Sequence, residues 1–253
     1  MSGESEADVR SAPETPEVGP AKKAEAPSQA PVRVLVTGFN DWRELGDPPQ
    51  LWRCRDNPSC RLLLGDETQT EPSGADSFDG PLVARLRAAQ PEIEWTFATM
   101  PVTWGVFAEV PSDRYEVIVN LGLGVYDRFD ALQLEAGAYD LRQGKDAAGV
   151  ERAEAIRGEA DRVLAAPQAV AARVQALEGE RVAGYEVVVA KAREDNAYLC
   201  NETHFSALSA LAEGGADDPL RAAYFLHIPY AKDGDYEALA EGVAGLVLRL
   251  VEP

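Results

Sequence analysis

The sequence is short of positive charge, histidine and cysteine, and each shortage narrows what the chain can do. Against 43 Asp and Glu stand 24 Lys and Arg, a formal net charge of −19. That excess repels phosphate backbones and anionic lipid, so neither nucleic acid nor a membrane surface is an expected partner. There is also no apolar run of about eighteen residues to span a bilayer. The first residues lack the basic flank and apolar core of a secretory signal, so the expected compartment is cytoplasmic. The three cysteines, Cys54, Cys60 and Cys200, are spaced like neither a zinc ribbon nor a redox Cys-x-x-Cys. No metal, cofactor or disulfide scaffold is therefore called for, and Cys54 and Cys60 are expected to be reduced thiols.

Enough apolar material remains for one core: 45% of the 253 residues are hydrophobic. Residues 1–31 are dominated by Ala, Pro, Glu and Ser and could not bury enough surface to offset their chain entropy, so a disordered tail is expected there. A single α/β domain is expected over 32–253. Val32 to Val36 and Tyr115 to Leu121 read as buried strands, Ile93 to Pro101 as an alternating strand, and Val187 to Val189 as part of a central one. Asn57 is placed to cap a helix whose first turn holds Pro58. Further helices are expected from Pro81, Pro167 and Cys200, and a last one burying Leu239, Val243, Leu246 and Leu250. Strands alternating with helices imply a three-layer α/β/α sandwich with a mixed, largely parallel sheet, hydrolase-like in kind.

Of the two histidines, His227 ends a strand and follows Cys200 by 27 residues. Cys200 stands where an extended segment turns into a helix, and Glu135 lies in the loop that Gly122-Leu123-Gly124 opens. In open α/β sheets a reactive crevice lies beyond the carboxyl ends of the strands, where these three segments would meet. A thiolate is favoured at a helix N-terminus, an imidazole beside it can act as base, and a carboxylate can fix that imidazole's tautomer. Each residue taken alone also has a structural role open to it, as a small core hydrophobe, a core histidine or a solvated acid.

Longer stretches carry a resemblance. Val34-Leu35-Val36-Thr37-Gly38-Phe39, followed by Trp42 and by Asn57-Pro58-Ser59, is similar to the opening of the pyroglutamyl peptidase family of cysteine peptidases. Tyr198-Leu199-Cys200-Asn201 resembles its nucleophile motif, and Phe225-Leu226-His227-Ile228-Pro229-Tyr230 its histidine motif. Glu135, Ala138 and Asp140 follow the spacing of its acid motif, with Asp140 where the family has Asn. The resemblance implies a Cys200-His227-Glu135 triad that removes N-terminal pyroglutamate from a peptide or small amide. It also implies a substrate pocket drawing on Phe39, Trp42, Asn57, Tyr198 and Leu199.

This chain departs from the family in a long insertion between Trp42 and Asn57. A shortened helix between Val106 and Tyr115 is a second departure. Only Gly122-Leu123-Gly124-Val125 stands where the family has a glutamine and a glycine-rich turn. An ungapped alignment there would place Gln133, not Glu135, at the acid position. Three readings stay open: a pyroglutamyl peptidase, a related cysteine amidase with another acyl group, and a non-catalytic binding protein. Homo-oligomer formation is compatible with all three.

Overall fold

Val34, Leu35 and Val36 form the heart of β1 (Arg33–Phe39), and their side chains divide between two apolar layers as a strand's two-residue period requires. A computed structural model describes residues 30–44, 50–65, 78–158 and 162–252. The segment expected to be a disordered tail, apart from its last two residues, lies outside the described residues, as do residues 66–77. Residues 31–253 form one unit.

After β1 the chain makes a small hairpin, β2 (Trp42–Glu44) and β3 (Gln50–Trp52), then α1 (Pro58–Leu64) and α2 (Pro81–Ala89). Next come β4 (Glu94–Met100), two 3-10 turns at Val106–Glu109 and Ser112–Arg114, and β5 (Val117–Leu123). The helix that the sequence suggested was shortened there is thus reduced to single turns. A run of short strands follows: β6 (Ala131–Glu135), β7 (Gly137–Tyr139), β8 (Arg142–Lys145), β9 (Glu151–Glu154) and β10 (Val163–Ala165). The chain ends with α3 (Gln168–Ala176), β11 (Arg181–Val182), β12 (Tyr185–Ala190), α4 (Leu199–Glu213), β13 (Ala222–Ile228) and α5 (Tyr236–Val251).

The main sheet has the order β11-β12-β6-β13-β5-β1-β4. The pairs β4–β1, β1–β5 and β5–β13 are parallel, whereas β6 meets β13 antiparallel and β12 lies parallel to β6. Helices cover both faces, so the fold is the expected α/β sandwich with a mixed, mostly parallel sheet. Val34 and Val36 face the layer that holds α1, α2 and α5, while Leu35, Ile118 and Ala223 face Ala207 of α4. Each fully buried Val, Leu or Ile among them contributes about 2 kcal/mol, and this core is what can hold charged groups out of water at the sheet's end. Among the described residues no helix is long and apolar enough to cross a membrane.

Three sequence expectations need correction. The stretch around Val187 to Val189 is not central: β12 lies one strand from the sheet edge, and only alternate residues of its first half are buried. The segment read as a loop around Glu135 is strand β6, inserted between β12 and β13. Cys54 and Cys60, expected as free thiols, are joined in a disulfide. A 3-10 turn at Cys54–Asp56 folds the chain back so that their Cα atoms lie 5.1 Å apart, within the span that a disulfide bridges. The bridge ties the end of the hairpin to α1. Titration of the native protein with a thiol reagent should count one free sulfhydryl, Cys200, rising to three after reduction and unfolding. A count of three without reductant would refute the bridge.

Candidate active site

The site is built where β5 and β13 end and α4 begins, with β6 running antiparallel beside β13. Side chains on directly opposed residues of a ladder share a face, and so do residues two apart on one strand. His227 of β13 is paired with Gln133 of β6. That register puts Gln133 and Glu135 together on the face of His227. Both residues that competed for the acid position are therefore present. Nδ1 of His227 lies 2.7 Å from Oε1 of Glu135. The same oxygen accepts from Nε2 of Gln133 at 2.9 Å. An ionised carboxylate only accepts, so the ring's Nδ1 carries the proton and donates it.

Both members of this pair are buried, with Glu135 and His227 each 5% exposed. Burial disfavours the imidazolium, but the sulfur of Cys200 in its anionic form and the Glu135 carboxylate outweigh it and push His227 up to about 10. The ring is held between these two partners by close packing. A Cβ on Gly124 would fall 2.2 Å from Cδ2 of His227, and one on Gly122 would fall 2.9 Å from Sγ of Cys200. Both glycines are needed because the backbone at the end of β5 and just past it runs directly beneath Cys200 and His227.

Cys200 is the second residue of α4, with Tyr198 in the N-cap position. The first N–H groups of a helix have no acceptor within it, and they bear the positive end of its dipole, so an anion at this sulfur is favoured. The helix start is anchored on three sides. Asn201 donates to the carbonyls of Tyr139 and Leu141 and accepts from the Tyr139 N–H. Buried Glu202 accepts from the Gly105 N–H at 2.7 Å and from Nη1 of Arg142 at 2.8 Å. One turn after Cys200, His204 is buried, which lowers it to about 4. Neither of its ring nitrogens has a hydrogen-bond partner among the described residues.

A cavity of about 570 Å³ opens over Cys200 and His227, a size suited to a small-molecule or peptide-end ligand. Phe39, Trp42, Asn57, Tyr198 and Leu199, all singled out from sequence, line it, as do Trp52 and Leu123. Glu135 stands behind His227, away from the lining. The two aromatic walls are linked, since Nε1–H of Trp42 donates to the Tyr198 hydroxyl at 3.3 Å, which donates to the Lys145 carbonyl at 2.7 Å. The amide of Asn57 is fully engaged with protein. Its Nδ2 donates to the carbonyls of Phe39 and Asn40, and its Oδ1 accepts from the N–H and hydroxyl of Ser59. It holds the Phe39 backbone against α1 and offers the cavity an apolar edge.

Asn201 stands in the nucleophile motif and Trp52 within the insertion, but the sequence gives no role in the site to either of them, nor to Glu202 or Arg142. The motif points to Asn201 without saying what its side chain holds. The others depend on hairpin and loop geometry that carries no local signature.

No protein-family model and no curated protein matches the sequence. Solved structures do. A mutant pyrrolidone carboxyl peptidase from Pyrococcus furiosus superposes with a TM-score of 0.59 at 17% identity, over 87% of this chain and 99% of that one. The pyroglutamyl peptidase I of Bacillus amyloliquefaciens gives 0.53 at 18% identity, over 88% and 96%. This chain has the fold of those peptidases.

Proposed function

We propose that the protein is a thiol hydrolase of the pyroglutamyl-peptidase type, in which Cys200 attacks an acyl carbonyl, His227 handles the proton and Glu135 orients His227. The observation that carries the reading is the 2.7 Å contact between Glu135 and a His227 ring whose other partner is Cys200, at the floor of an aromatic cavity. His227 takes the thiol proton of Cys200, which leaves the negative charge on sulfur. The thiolate adds to the carbonyl, and the developing oxyanion is met by the free N–H groups of the first turn of α4. His227 gives its proton to the departing amine as the C–N bond breaks, leaving a thioester on Cys200. Water, deprotonated by His227, then hydrolyses that thioester to the free acid. Phe39 and Trp42 would flank a pyroglutamyl ring, which carries no charged amine and suits their apolar faces. Tyr198 and Leu199 would close its far side.

A second reading, an amidase with a different acyl group, is favoured by Leu123, which also lines the cavity. A panel of fluorogenic amides with pyroglutamyl, prolyl, acetyl and short aliphatic acyl groups separates the two. Turnover fastest on the pyroglutamyl amide supports the first reading. Turnover fastest on another acyl group supports the second, and turnover on none removes both. Because His227 titrates near 10, kcat/KM should hold through neutral pH and fall on the alkaline side as the imidazolium loses its proton. A fall already complete at pH 8 would contradict the pairing.

A further inference from the structure

Aromatic side chains continue past the acyl pocket on the side of His227. Trp52, at the end of the β2–β3 hairpin, packs edge-on against Trp42 with ring centres 5.5 Å apart. Tyr230, three residues beyond His227, bridges outward from it, 6.4 Å from Trp52 and 6.4 Å from Tyr126. Tyr126 follows the Gly124 that lies under the His227 ring. It is 63% exposed, with its hydroxyl turned back to the Leu123 carbonyl at 3.3 Å. Trp52, Tyr126 and Asp127 all line the catalytic cavity. An apolar ring left in water beside a reactive histidine, backed by two further rings, is a surface that gains by being covered.

The chemistry says what covers it. The leaving amine must depart on the side from which His227 delivers its proton, and the segments flanking His227 are those that carry Tyr126 and Tyr230. We infer that Trp52, Tyr126 and Tyr230 form a leaving-group subsite selective for an aromatic residue directly after the scissile amide. This assignment of sides rests on the hydrolase reading above. Asp127, on the same wall, opposes an acidic residue at that position by like-charge repulsion. Trp52 belongs to the insertion, so the hairpin acquires a role in selecting the substrate. The disulfide from Cys54 to Cys60 then fixes the segment that carries it.

The test uses the full-length protein in two arms. In the first, dipeptide amides sharing the preferred acyl group and differing only in the second residue are compared. Phenylalanine or tryptophan should exceed alanine in kcat/KM by about tenfold, and aspartate should fall below asparagine. In Tyr126→Ala, an exposed position where folding is not at risk, the aromatic preference should collapse to within about threefold. Equal values for phenylalanine and alanine in the parent overturn the proposal.

The second arm needs no turnover. Binding of phenylalaninamide and alaninamide to Cys200→Ala is followed by tryptophan fluorescence. Tighter binding of the aromatic amide, weakened by Tyr126→Ala, supports the subsite, and equal binding overturns it. Absence of hydrolysis on every substrate would count against the hydrolase reading, whereas the binding comparison decides the aromatic subsite.

Discussion

Cys200→Ala is expected to lower acyl-amide turnover by about 10³-fold or more, to the limit of detection, with the fold intact. Among the described residues that line the cavity, Cys200 alone offers a thiol to form the covalent bond. The other two cysteines are held in a disulfide and cannot substitute for it. Cys200 is only half-buried, and His227 keeps Glu135 as its partner when the sulfur is removed, so the melting temperature should change by a few degrees at most. The loss should appear in kcat while affinity for a product amide is retained, because the cavity walls come from other residues. A haloacetamide should label the native protein once, at Cys200, and block turnover in proportion to labelling. A variant that keeps more than a few per cent of parental activity would remove the covalent mechanism. Activity lost through aggregation would be recognised by circular dichroism and would leave Cys200→Ser as the check.

The layered fold was legible because its strands are β-branched runs bounded by turn residues, and because Asn57-Pro58 marks a helix start by its own chemistry. The position of Glu135 was harder to read. Leu132-Gln133-Leu134-Glu135 is too short to announce a strand, and only its insertion antiparallel to β13 sets the register with His227. That insertion also dissolves the choice between Gln133 and Glu135. A two-residue period on one strand lets the carboxylate bond the ring while the amide bonds the carboxylate. Long-range pairing of this kind leaves no trace in local sequence. The disulfide was hidden for a similar reason, since a six-residue spacing says nothing until a 3-10 turn brings the two chain segments together. Val187 to Val189 misled in the opposite sense. Its apolar run would suit a strand covered on both faces, yet the sheet ends one short strand further on.

The anchoring of α4 explains why so few residues carry the site. Asn201 and Glu202, the two positions after Cys200, use side-chain groups to hold backbone of β7, its following turn and the loop at Gly105. Cys200 is thus fixed by its neighbours in sequence, and His227 by its neighbours across the sheet. Neither depends on the mobile end of a long side chain. A group held by packing and by bonds to its supports keeps the geometry that reaction requires.

Glu135→Gln is expected to reduce kcat by about 10²-fold or more, and it isolates charge from orientation. The amide oxygen of the new side chain can still accept from Nδ1 of His227 and from Gln133 at the place of Oε1, so the ring keeps its tautomer. The negative charge behind it is lost. His227 then retains burial, which disfavours the imidazolium, and only the Cys200 sulfur to oppose it. Its titration should fall below about 10, and the alkaline limb of kcat/KM should move to lower pH with it. The stability consequence has a defined sign. A histidine raised from about 6.5 in the unfolded chain to about 10 in the folded one contributes stability that is complete below pH 6.5. That contribution is lost as pH rises toward 10. The stability gap between parent and variant should therefore be widest below pH 6.5 and narrow steadily toward pH 10, as read by urea unfolding at several pH values. Glu135→Ala, which removes the hydrogen bond as well, should be the more damaging change, since it leaves a buried imidazolium without its acceptor. An unshifted alkaline limb in Glu135→Gln, with kcat near parental, would show that the carboxylate does not act on His227 during the reaction.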